Sequence, residues 1–284
     1  MKNKIYPCLW FDGQAKEAAD FYCSIFDNSK VTVDSPIVVN FELNGQKFMG
    51  LNGGPQFKIN PSISFYTICD TESEIDTAWH KLADGGSVLM PLSKYPWSEK
   101  YGWVQDRFGV SWQLTLGKTS EMGQKITPAL MFVGEQHGKA AQAIAFYTSL
   151  FPESSVRFIA NYEAGDGDME GTIKHAQFEL NGQVFAAMDS GRMHGFAFNE
   201  AISLVVDCDG QEEVDYYWDK FTEKGQESMC AWLKDEFGVS WQIVPRQLAQ
   251  LMNNPDRVKT QRVMQAMLQM RKIDIGGLTA AFDK

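Results

Sequence analysis

The sequence predicts an α+β fold of four β-α-β-β-β modules, arranged as two tandem copies of a two-module domain followed by a helical tail. Three observations carry this. FELNGQ occurs at 41–46 and again at 178–183, and FGVSWQ at 108–113 and again at 237–242, in the same order. Between them, SISFYTICDTESEIDTAWHKL (62–82) aligns without gaps to AISLVVDCDGQEEVDYYWDKF (201–221), sharing Cys69/Cys208, Asp70/Asp209, Glu74/Glu213 and Trp79/Trp218. Within each copy, short apolar runs alternate with stretches whose apolar residues recur at helical spacing. The copies are expected at 1–118 and 125–247, with a tail over 248–284.

The elements follow in order. IYPCLWF opens the first copy as a strand, and KEAADFYCSIF follows as a helix with Ala18, Phe21, Tyr22 and Ile25 on one face. Strands around 37–43 and 46–51 meet through Asn44-Gly45, the signal of a type I′ hairpin. A second cycle then begins with a strand over 62–68 and a helix over 72–83 that Gly85-Gly86 stops, followed by strands near 87–92, 101–105 and 110–116. The copies diverge in their loops. Copy two carries the acidic stretch Asn161 to Thr172, expected to be solvated, and shortens the hairpin PLSKYPWSEKYGW to ESMCAW. In the tail, Leu248, Leu251, Val258, Val263, Met264, Met267, Leu268 and Met270 predict one or two amphipathic helices broken at Asn253-Asn254-Pro255.

Composition narrows the function. The 284 residues carry 26 Lys plus Arg against 36 Asp plus Glu, a net charge of −10, which is the wrong sign for binding a phosphate backbone. No run approaches the roughly 20 apolar residues of a membrane helix, and the N-terminus lacks a long apolar leader, so a cytoplasmic protein with no nucleic-acid or membrane partner is expected. Five scattered cysteines without CxxC spacing predict reduced thiols. Thirteen Met and 36 aromatic residues (8 Trp, 9 Tyr, 19 Phe) supply material for large cores or for an apolar cavity.

IxPxLxFxG at 5–13 and 126–134, the FY pairs at 21–22 and 146–147, FELNG, YGWVQDRFGVSWQ and the tail QRVMQAMLQMRKIDIGGL together resemble the PhnB-like branch of the vicinal oxygen chelate superfamily, related to glyoxalase and bleomycin-resistance proteins. The resemblance covers nearly the whole chain, twice over. It implies two tandem glyoxalase-like domains with curled mixed sheets, packed as an internal pseudo-dimer, with a homodimer as a further option. Members of this branch are often labelled 3-demethylubiquinone-9 3-methyltransferase, yet no Gly-rich strand-to-helix turn of the nucleotide-binding kind is present. In the wider superfamily, side chains on the first and last strands of facing modules bind a divalent metal. Motif alignment puts those positions on Pro7 and Pro128, near Met49 and Ala186, near Ser62 and Ala201, and on Gln113 and Gln242. None is His, Asp or Glu, so no metal and no other cofactor is expected there.

Strand alternation in GVSWQL turns Trp112 to the helices and Gln113 to the concave side, and Gln242 repeats this. Gln113 and Gln242 are therefore candidates to orient a polar group of a ligand. Ser62, Ser64 and Tyr66 alternate toward the same side, with Ser203 and Asp207 repeating part of the set; no base accompanies the serines, which makes them wall rather than nucleophile. Tyr95, Trp97, Tyr101 and Trp103 form either a lid over an apolar ligand or the packing of a hairpin or of the interface between the copies. His80 and His137 are expected at the surface. His175, with Asp189 nearby in sheet order, is a candidate acid/base pair.

The leading expectation is thus metal-independent binding of a small apolar or amphipathic molecule in a cavity of curled sheets. The alternatives are a lyase-, isomerase- or dioxygenase-type enzyme using His175 and Asp189 or a relocated metal, and an interaction scaffold with filled cavities.

Overall fold

The computed structural model describes residues 4–284. They form two compact units, one of Tyr6–Ile202 and one of residues 4–5 with Ser203–Lys284.

The larger unit begins with β1 (Ile5–Phe11), α1 (Ala15–Cys23), β2 (Lys30–Asp34), β3 (Val38–Leu43) and β4 (Gln46–Asn52). β1 lies parallel to β4, and β4, β3 and β2 follow as an antiparallel meander. Asn44 and Gly45 join β3 to β4 with φ of 49° and 75°, the doubly positive pair that a type I′ turn requires. β2 is the strand the periodicity did not reveal. Its pattern is exposed almost throughout, because it is an edge strand with little apolar face to bury.

The rest of the unit is β5 (Ile63–Cys69), α2 (Glu72–Ala83), β6 (Ser87–Tyr95), β7 (Ser98–Gln105), β8 (Ser111–Leu116), the single turn α3 (Thr119–Met122), β9 (Ile126–Val133), α4 (Ala140–Leu150), β10 (Ser155–Asn161), β11 (Ile173–Leu180) and β12 (Gln183–Ser190). These strands make one eight-stranded sheet in the order β10-β11-β12-β9-β5-β8-β7-β6. The sheet joins the second module of copy one to the first module of copy two, through antiparallel pairing of β5 with β9. Thr71 caps α2 by accepting from Glu74 N, while Glu74 returns to the Asp70 N–H, a reciprocal pair that starts the helix just past β5. Trp112 is wholly buried among Tyr22, Phe26 and Phe65, so the core lies on the helix side of the strands, as the alternation predicts.

The smaller unit contains β13 (Ile202–Cys208), α5 (Gln211–Thr222), β14 (Gln226–Glu227), β15 (Trp232–Lys234) and β16 (Ser240–Pro245), paired in the order β14-β15-β16-β13. The tail forms three helices, not one or two: α6 (Arg246–Met252), α7 (Arg257–Met267) and α8 (Ile275–Asp283). The break at Asn253 to Asp256 falls where expected. The third helix was hidden by Gly276-Gly277, which sit in its first turn behind an Asp274 cap and are tolerated there. Val263, Ile273 and Leu278 form a core with Ala231, against which Val244, Leu248, Leu251 and Met267 pack. Among the described residues, no helix is long and apolar enough to cross a membrane.

Candidate functional site

One face of the eight-stranded sheet carries the helices and the other is concave. Register sorts the residues. Ser64 lies opposite Ser111 and Ala129, and Tyr66 opposite Gln113 and Thr127, so these side chains share the concave face. Tyr101 and Trp103 join them from β7, and Gln177, opposite Ala186, joins from β11 with His175 two residues away. Pro128 pairs with Phe65 and so belongs to the core face; the concave positions of β9 are Thr127 and Ala129. The same correction applies to Pro7, since its neighbour Cys8 pairs with Met49 and Pro7 therefore faces the other way.

A hydrogen-bonded seam crosses this face. Tyr101 donates its hydroxyl to Gln113 Oε1 at 2.7 Å, and Gln113 Nε2 donates to Ser64 Oγ at 2.8 Å. Ser98 and Thr115 share a hydroxyl hydrogen bond of 2.9 Å, and Trp103 Nε1 donates to Ser111 Oγ at 2.7 Å. Burial pushes the Tyr101 phenol well up and the Tyr66 phenol up, the latter opposed by a hydrogen bond with Thr115. Both remain neutral donors near pH 7.

Beside the seam opens a cleft of about 720 Å³. Its floor is Tyr66, Thr115 and Gln177, its apolar wall Ile68, Leu116 and Met122. Trp97 and Ser98 form a lip from the β6–β7 hairpin. The aromatic residues of that hairpin gather: Tyr95 stacks on Trp97, with ring centroids 5.1–5.9 Å apart across the Tyr95, Trp97 and Tyr101 set, while Trp97 keeps 63% of its surface exposed. Asp70, Glu72, Glu99 and Glu121 stand around the opening with a single cation, Lys118. Asp70 accepts from both the backbone N–H and the hydroxyl of Thr119, which hold its carboxyl below the usual range.

The structure brings Ser64, Tyr66, Gln113 and Trp103 onto one face with Ser62 at its margin, and sets Trp97 at the cleft mouth. It does not bring His175 and Asp189 together. On β12 the concave residues are Ala186, Met188 and Ser190, so Asp189 points to the helix side, where its oxygens accept from the backbone N–H groups of Gly138, Ala140 and Ile173. It is wholly buried and caps the start of α4. His175 stays on the concave face between the Tyr66 and Phe158 rings, and burial lowers its pKa, so it is neutral near pH 7. His80 is exposed, as expected. The acidic loop is not simply solvated: Asp168 accepts from Gly191 N at 2.7 Å and meets His137 Nε2 at 2.8 Å, which fastens the loop to the end of β12.

In the smaller unit, Gln242 Nε2 donates to Ser203 Oγ at 2.9 Å, repeating the Gln113–Ser64 pair. The surroundings differ. Where copy one has Tyr66, Thr115 and Leu116, copy two has Val205, Val244 and Pro245, and Val244 packs against the tail helices. Cys230 N and Ala231 N donate to Met270 O and Arg271 O, so the tail takes the place of the long hairpin of copy one.

The cleft residues that sequence reading missed are Asp70, Glu72, Glu99, Glu121, Thr115 and Gln177. One signal was available: Asp70 recurs as Asp209 at the same strand-to-helix turn. Asp106 was also missed. It accepts from Tyr22, Trp112 Nε1 and the N–H groups of Phe108 and Val110, and Asp235 repeats the last three contacts through Trp241, Phe237 and Val239, so both are structural.

These residues do not fit a divalent metal. The Gln113 amide is committed to Tyr101 and Ser64, its neighbours offer neutral hydroxyls, and among the described residues no three His, Cys, Asp or Glu side chains gather to hold an ion.

Comparison with known proteins agrees with this architecture. The family described as 3-demethylubiquinone-9 3-methyltransferase matches residues 3–115 and again 124–244. A putative 3-demethylubiquinone-9 3-methyltransferase, PhnB protein, from Bacillus cereus is 44% identical over 39% of this chain and 96% of its own, with a TM-score of 0.37. Glyoxalase I from Zea mays is 11% identical over 89% of this chain and 96% of its own, with a TM-score of 0.57, a likeness of fold alone. No curated protein matches.

Proposed function

Starting from a chain that belongs to the 3-demethylubiquinone-9 3-methyltransferase (PhnB-like) family in two tandem copies, we propose that it binds a small amphipathic molecule in the copy-one cleft, without a bound metal. The carrying observation is the cleft itself. Its 720 Å³ falls within the range of small-molecule sites, and apolar Ile68, Leu116 and Met122 face a few fixed polar groups, Thr115, Ser98 and Gln177. Neutral Tyr66 supplies a hydroxyl without a charge to neutralise. The copies at 1–118 and 125–247 divide the work: copy one keeps an open cleft, while the 248–284 tail closes the matching face of copy two. His175 backs the lining residues Tyr66 and Gln177, and Gln242 and Ser203 support the strands of copy two.

N-phenyl-1-naphthylamine, an uncharged probe whose emission rises in apolar surroundings, tests this. Saturable binding at one probe per chain, lost in Thr115→Trp but kept in Val244→Ile, is the expected result. A probe bound at 100 times its dissociation constant stabilises the fold by about 2.7 kcal/mol, which a thermal melt reads independently. Absence of saturable binding, or binding that Thr115→Trp leaves intact, overturns the proposal.

A further inference from the structure

Resting on that reading of the cleft, we propose that its preferred occupants are organic cations: an amine or quaternary ammonium carried on an aromatic or apolar body. The lining holds four carboxylates and one ammonium. What matters is how many of those charges are already compensated. Lys100 lies 2.6 Å from Asp76 and only 3.7 Å from Glu72, and Lys125 is engaged by Glu74 while standing 3.7 Å from Asp70. Each lysine is thus neutralised by a carboxylate outside the cleft. Asp70 and Glu72, which lie inside it, share those lysines, so each lysine with its two carboxylates keeps a net negative charge. Glu121 has no ion pair among the described residues, and only Glu99 has a close partner of its own, Lys94 at 2.7 Å. An excess of negative charge therefore surrounds an opening with one apolar wall, the arrangement that raises the local concentration of a cation with an apolar body.

A further feature fits a cation with a flat body. Trp97 and Tyr95 stack at 5.1 Å and Trp97 is largely exposed at the lip, so an electron-rich ring face remains free to receive an ammonium or a guest ring. The charge reading differs from the binding reading in a checkable way: the latter asks only for an apolar guest, the former for its sign.

The experiment compares 1-naphthylmethylamine, 1-naphthylmethanol and 1-naphthoate, which share a ring and differ in charge, by calorimetry and by Trp fluorescence on the full chain. The amine is expected to bind about tenfold or more tighter than the carboxylate, with the alcohol between, and the gap to shrink as salt rises. The double variant Glu72→Gln/Glu121→Gln is expected to weaken the amine about threefold to tenfold and leave the alcohol unchanged. Equal or tighter binding of the carboxylate, or an amine affinity indifferent to that variant, overturns the charge inference while leaving the cleft as a binding site. If none of the three binds, the binding reading fails as well.

Discussion

Tyr101 donates its hydroxyl to Gln113 Oε1 at 2.7 Å, a contact that has no match in copy two, where Cys230 holds the equivalent position and sends its backbone N–H to Met270 O. Gln113 thereby spends both ends of its amide, one on Tyr101 and one on Ser64. Tyr101→Phe leaves a buried carbonyl oxygen without a donor, and a loss of roughly 1–3 kcal/mol is expected in urea unfolding. Gln113→Leu should cost at least as much, because two hydroxyls then lose partners. A Tyr101→Phe protein as stable as the parent would show that the seam is incidental.

Asp106 gives a pH signature of definite sign. It is 4% exposed, and burial pushes its carboxyl up to about 6 against four hydrogen bonds that pull the other way. The folded chain therefore holds this proton to a higher pH than the unfolded chain, whose carboxyl titrates near about 3.9. Its contribution to stability is complete below about pH 4 and is lost as pH rises through about 6. Asp106→Asn does not titrate and turns an amide N–H toward the donors of Tyr22 and Trp112. The stability gap between parent and variant should narrow from pH 4.5 to pH 7, by at most about 1.4 kcal/mol per pH unit inside the window. Paired denaturation curves at the two pH values measure it, and a constant gap contradicts the assignment.

How much of this was legible in the sequence depended on whether the information was local. The Asn44-Gly45 turn, the two-module repeat and the inward Trp112 were legible because each rests on a short-range rule of φ, spacing or alternation. The cleft was not, because its acidic rim is assembled from Asp70, Glu72, Glu99 and Glu121, which the β6–β7 hairpin and α3 bring to one end of β5. The direction of Asp189 failed on a single residue of register: one step along β12 turns a side chain from the cavity to the helix. β2 and α8 escaped because one has no apolar face and the other opens on two glycines.

Asp189 is better read as a capping anion, and that reading has its own cost scale. Three backbone N–H groups, those of Gly138, Ala140 and Ile173, depend on its two oxygens in a site with no solvent access. Asp189→Ala orphans all three, and a loss of about 3–5 kcal/mol is expected. His175→Ala, at a half-buried position with a Gln177 contact of 3.3 Å, should cost far less. Equal effects of the two substitutions, measured by urea unfolding, would instead restore a coupled pair.

The tail decides why the two copies differ, and a single charge can test it. Ile273 is wholly buried against Ala231, Val263 and Leu278, and the segment around it is fastened to α5 twice: Gln211 Nε2 donates to Ile273 O at 3.0 Å while Ile275 N donates to Gln211 Oε1 at 2.9 Å, and Lys272 stands 3.0 Å from Asp215. Ile273→Asp places an unpaired carboxylate in that core, which cannot be hydrated without releasing the helices. The expected outcome is local: proteolysis and hydrogen exchange rise across 246–284, and Val244 with Leu248 and Leu251 becomes exposed. N-phenyl-1-naphthylamine should then bind at a second, weaker site per chain while the copy-one affinity is unchanged. If the tail were mere decoration, the variant would gain no site, because the face beneath it would already be filled by Val205 and Val244 alone.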